Sequence, residues 1–158
     1  MADRKPPKLV AGELATWTTL YQFQRESLLG KLDGLSELDA RRSLVPSGTS
    51  LLWLVKHCAR AERLWFLDRF AALEQLPRVD RVLETDTVAS LCAAFRRQWP
   101  EIAGLVASRD VEDLAARIDP GDDPVTLRWI LWHMLEEVAR HAGHADILRE
   151  QIDGQTGR

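Results

Sequence analysis

The sequence predicts an all-α protein, a four-helix bundle in a single domain spanning residues 1–158 with short flexible ends. Three observations carry this. Four long segments repeat apolar residues at helical spacing, turn-forming residues separate them, and no stretch alternates apolar and polar residues with period two. A length of 158 residues, 46% of them hydrophobic and 28% charged, suits one soluble core.

The first helix is predicted from Gly12 to Leu32, where Leu14, Trp17, Tyr21 and Leu28 share one face. Gly30 and Gly34 weaken its end. A short turn of helix follows over Ser36–Arg41, capped by Ser36. VPSGTS is a loop, and Thr49 or Ser50 caps the second helix, Ser50 to Leu73, which Pro77 prevents from continuing. The third helix is expected to begin near Thr87 with Asp86 as its cap and to reach Ser108, kinked at Pro100. After the polar connector DVEDLAARIDPGDD, the fourth begins with Asp123 as cap and Pro124 at its first position. It should run to Ile152 and stop before Gly154. The longer links before helices three and four leave room for a crossover, and periodicity alone leaves the topology open.

Composition excludes several functions. A net charge of −3 argues against binding nucleic acid through its phosphates. No run is apolar enough for a membrane span. The start, MADRKPPKLV, lacks the apolar core of a signal peptide, so the expected location is the cytoplasm. Cys58 and Cys92 have no metal-finger spacing and read as reduced core thiols, with Cys58 a rival soft ligand.

The four histidines hold the chemistry. On the fourth helix, at about 100° per residue, His141 falls in the middle of the apolar stripe defined by Ile130, Met134, Val138, Ala145 and Leu148. Glu137 lies on its shoulder, His133 and His144 at its edge, and Glu136 points away. Glu137 and His141, four apart, stack on one face. A third ligand, His57 from the second helix, would complete a clamp for a divalent metal, because two imidazoles and a carboxylate suit zinc, and also nickel or iron. The alternatives are a hydrogen-bonded core pair for Glu137 and His141 and a surface position for His57. Glu62, inside the apolar arc, either holds an arginine or orients a ligand histidine. His133 and His144 are candidates to hold a ligand residue in place from behind or to transfer a proton, and Arg140 either contacts an anionic cosubstrate or is solvated. Trp53, Leu64, Leu67, Trp129 and Trp132 point away from the inferred core, as an association surface or as a seat for connectors.

SGTSLLWLVKHCARAERLWF and LRWILWHMLEEVARHAGHADILRE resemble the DinB/YfiT-like superfamily of metalloproteins, especially its mini-circle protein branch. The resemblance covers nearly the whole chain. It implies a four-helix bundle of up-down-down-up order, often a homodimer, with metal ligands at the positions of His57, Glu137 and His141. Many relatives carry histidine where this chain has Glu137, whereas mycothiol-using isomerases have glutamate there. The resemblance also implies low-molecular-weight thiol chemistry, an S-transferase or isomerase of the mycothiol or bacillithiol type acting on a small-molecule substrate. Metal-activated hydrolysis and non-catalytic binding of a small ligand are the alternatives. A di-iron carboxylate centre is disfavoured because the sequence has no pair of Glu-x-x-His motifs.

Overall fold

The computed structural model describes residues 5–77, 79 and 81–156. Its helices are α1 (Glu13–Gly30), α2 (Glu37–Arg41), α3 (Leu51–Glu62, prolonged by a π-helical stretch Arg63–Phe70), α4 (Val88–Ala107) and α5 (Leu127–Asp153). Short polar side chains fix most starts by accepting a free backbone N–H. Ser36 accepts from Asp39, Ser50 from Trp53 and Thr126 from Trp129. Gly154, at φ 76°, takes the left-handed turn that ends α5, as its position after the periodic segment predicts.

Two starts differ from the expectation. Thr87, not Asp86, caps α4: its side chain accepts from the Ser90 N–H, and Ser90 Oγ accepts in return from the Thr87 N–H. Asp86 instead accepts from the Leu83 N–H and pairs with Lys56 at 2.7 Å. The last helix begins at Leu127, not after Asp123-Pro124, because the connector competes for the backbone of its first turn. Ala115 N–H donates to Val125 O, and Leu127 and Arg128 N–H donate to Asp113 and Val111 O. These pairs hold residues 125–126 extended, and Leu114 and Thr126 form an isolated antiparallel bridge. The helix α4 continues through Pro100 without a break.

The same connector closes α3. Beyond Glu62 the turns widen, and the chain leaves the helix with Ala72 at φ 53°, a left-handed conformation that is uphill for alanine. Arg117 answers the carbonyls this leaves without intrahelical donors. Its guanidinium donates to Asp68 O at 2.9 Å, to Leu73 O at 3.0 Å and to Ala72 O at 3.3 Å. The wider turn advances less than an α-turn per residue, which rotates Leu67 out of its expected outward position and into the core.

Side-chain pairings give the topology. Trp17 donates to Leu131 O, and Arg149 donates to Lys31 O and Asp33 O, so α1 and α5 run parallel. Trp17 packs on Phe66 and Tyr21 bonds Glu62, so α3 runs opposite to α1. Arg96 pairs with Glu26, while Leu14, Trp17 and Val106 line one cleft, so α4 also runs opposite to α1. The order is up, down, down, up, with the long link after α3 crossing back to start a parallel α4. Tyr21, Phe66, Phe95, Leu54, Ile130 and Met134 fill the interior. Among the described residues there is no strand, and no helix is long and apolar enough to cross a membrane.

Candidate metal centre

Antiparallel α3 and α5 bring His57 opposite Glu137 and His141. His57 Nε2 lies 2.8 Å and His141 Nε2 3.1 Å from the same Glu137 Oε1. One ligand atom from each residue falls within 4.8 Å of the others. The hydrogen bonds from His141 and His57 hold the Glu137 carboxyl well below the usual carboxylate range, against a smaller opposing effect of burial. Glu137 is therefore anionic at neutral pH. The side chains of His57 and Glu137 keep 27% and 21% of their exposure and that of His141 12%, so the group is reachable from solvent.

Neighbours hold the rings. The Trp53 indole stacks on His57 at 4.8 Å between centroids and 11° between planes. Trp53 is thus a wall of this site, not part of an outward patch; its spacing of four residues before His57 was the available signal. His144 Nδ1 lies 3.3 Å from His141 Nδ1, the nitrogen turned away from Glu137. That contact can fix the tautomer of His141.

The other predicted residues lie elsewhere. Glu62 is fully buried and accepts from Tyr21 Oη at 2.7 Å, from Gln98 Nε2 at 2.9 Å and from Arg25. It holds an arginine, and its carboxyl is pushed up by burial even against Arg25. Cys58 is a core residue whose thiol is pushed up by burial and by the nearby Glu137 and Glu62 charges, a poor setting for a thiolate ligand. Arg140 pairs with Glu136 on the exposed face. His133 lies apart from the triad's hydrogen bonds. It stacks on Trp129 at 4.7 Å and meets Trp65 edge-on at 5.0 Å. Sequence reasoning missed this cluster because Trp65 and His133 are remote in the chain.

Two imidazoles and one low-pKa carboxylate from opposed helices form a donor set that fits a divalent cation of the zinc, nickel or iron kind. The bundle and this site together define a DinB-like helical protein with a His–Glu–His group able to hold a metal. Residues 16–154 match the profile of the family described as mycothiol-S-transferase, and the chain belongs to that family. Two solved structures share the fold. A conserved protein from Enterococcus faecalis superposes with a TM-score of 0.66 at 16% identity, covering 92% of this chain and 100% of the other. A DinB-like protein from Bacillus cereus superposes at 0.69 and 15% identity, covering 87% and 91%. No curated protein matches the chain.

Proposed function

We propose that the protein binds one divalent cation, zinc in the first instance, through His57 Nε2, the Glu137 carboxylate and His141 Nε2, and transfers a low-molecular-weight thiol to a small electrophile. The observation that carries this reading is the convergence of the three ligand atoms within 4.8 Å in a seam open to solvent. Membership of the mycothiol-S-transferase family supports the thiol half.

A bound divalent cation would supply positive charge that stabilises a thiolate over its thiol at neutral pH. The remaining tasks fall to the chain. Glu137, anionic and hydrogen-bonded, sets the local charge so that one negative and two neutral ligands leave an excess of positive charge for an anionic sulfur. Trp53 keeps the His57 ring in plane, and His144 orients His141. We assign to His144, exposed at the rim, the removal of the thiol proton to solvent. The sulfur lone pair then forms the S–C bond, and the leaving group departs from that carbon with its bonding electrons. We extend the proposal to a homodimer, which light scattering at micromolar concentration checks.

The test is metal analysis of protein purified without chelators, followed by a conjugation assay with mycothiol. Wild type should carry about one equivalent of metal, and His141→Ala should lose both metal and transfer. Product formation that persists without thiol would replace the proposal with metal-dependent hydrolysis. Failure to take up metal on reloading would remove it.

A further inference from the structure

The long helices pack in a ring, α1 on α5, α5 on α3 and α3 on α4. The metal centre occupies the α3–α5 seam. On the opposite side, α1 and α4 face each other across an elongated cleft of about 410 Å³. Leu14 and Trp17 from α1 and Ile102, Ala103 and Val106 from α4 form its walls, and Arg25 lies at one end. Leu14 and Arg25 are eleven residues apart on α1, about 16 Å along the helix axis.

Arg25 keeps an unused donor there. It is 5% exposed and its Nε donates to Glu62, yet its Nη2 has no hydrogen-bond partner among the described residues. The Trp99 indole Nε1 is a second buried donor without an acceptor among them, and its ring centre lies 5.1 Å from the guanidinium carbon. Buried N–H groups left unpaired are costly and uncommon. Two in one neighbourhood, beside a cleft, call for an oxygen from outside the chain.

Charge and chemistry narrow what that oxygen belongs to. Glu62 accepts from Arg25, Tyr21 and Gln98, so the guanidinium already has its counter-ion. A carboxylate or phosphate would add a second buried anion beside Glu62 with no cation to match it. An alcohol or a secondary amide would bring a donor of its own to a spot that presents donors. A ketone or ester carbonyl only accepts, and the apolar walls can take its hydrocarbon chain. We infer that the α1–α4 cleft binds an elongated apolar molecule through a neutral carbonyl, of a ketone or an ester, that accepts from Arg25 Nη2. Nη2 lies just beneath the cleft surface, and a side-chain adjustment of the kind that commonly accompanies binding brings it into contact. This second site stands apart from the metal and from thiol transfer.

The test is titration of the protein with 2-octanone, followed through the tryptophan indole N–H signals by nuclear magnetic resonance. Trp99→Phe identifies the reporter signal and Trp53→Phe the control, since Trp53 stacks on His57 across the bundle. The Trp99 signal should move saturably and the Trp53 signal should not. Octanoate, of the same chain length, should bind more weakly by about tenfold or more. Arg25→Met with Glu62→Leu, which removes donor and counter-ion together, should weaken the ketone by about tenfold, the size of one hydrogen bond to a charged group. Ala103→Phe puts a ring into the cleft from an exposed position outside the core and should abolish binding. An unmoved Trp99 signal, octanoate bound as tightly as the ketone, or full binding by either variant overturns the inference. So does a Trp99 signal that moves with protein concentration alone, which would assign the cleft to a second copy of the chain. Neither probe carries a thiol, so every outcome leaves the thiol-transfer proposal to its own assay.

Discussion

Replacing Glu62 by leucine should destabilise the bundle severely without emptying the metal centre. Glu62 has no exposed surface, and it accepts from Tyr21, Gln98 and Arg25, which is itself 5% exposed. Removing it strands a buried guanidinium, a change of about 3–5 kcal/mol. Two effects temper that figure. The Tyr21 and Trp99 rings lie 4.2 and 5.1 Å from the guanidinium carbon and partly solvate its charge. Gln98 also keeps its bond to Ala59 O. We expect about 4 kcal/mol from the same buried-pair argument, a fall of about 2 M in the urea midpoint for a slope near 2 kcal/mol per molar. Arg25→Met with Glu62→Leu removes both charges and should recover most of this, leaving about 1–2 kcal/mol for the Tyr21 and Gln98 groups left without their acceptor. The assay is a double-mutant cycle by urea denaturation, with metal content measured on the folded fractions. A loss below about 1 kcal/mol for Glu62→Leu, or a double variant no better than the single one, would refute the buried-pair argument. Loss of metal from folded Glu62→Leu would instead return Glu62 to the role of orienting a ligand histidine.

Three other outcomes are expected. His144→Gln should weaken metal affinity by about tenfold, since outer partners of ligand histidines contribute about 10–100-fold; unchanged affinity by competition with a chelator would separate His144 from the centre. Thr126→Ala should cost about 1 kcal/mol as the loss of a helix cap, whereas Asp123→Ala should leave the urea midpoint unchanged; the reverse order would restore the earlier helix start. In metal-free protein, the lowered carboxyl of Glu137 contributes stability that is complete above its ordinary value of 4.5 and is lost as pH falls toward its folded value. The stability gap between wild type and Glu137→Gln should therefore narrow on acidification below that value, and a gap constant with pH in urea titrations would contradict the assigned cause.

How legible the molecule was depended on the range of the interactions. The helical period around Trp17, Tyr21, Met134 and Val138 determined an all-α bundle, because a repeat of about 3.6 residues is a local property of the chain. The same local geometry selected Glu137 over Glu136 and put His141 on the buried stripe. Ser36 and Gly154 read correctly as helix ends because their partners lie within a turn. What failed depended on contacts from elsewhere. Asp123-Pro124 is a good local start, yet pairing of residues 111–115 with residues 125–128 moved the cap to Thr126. Leu67 reads as outward on an ideal wheel, but the π-helical turns and the Arg117 clasp rotate it inward.

By itself the sequence therefore determined the helical class, the core stripes and the pairing of Glu137 with His141, all of which follow from spacing within one segment. Only the tertiary structure decided that His57 meets that pair, that Glu62 serves Arg25 rather than the site, and that Trp65 and Trp129 form one wall with His133. Each of those facts depends on which helices pack side by side and in which direction they run. Periodicity is blind to both, since a helix has the same wheel whichever neighbour it faces.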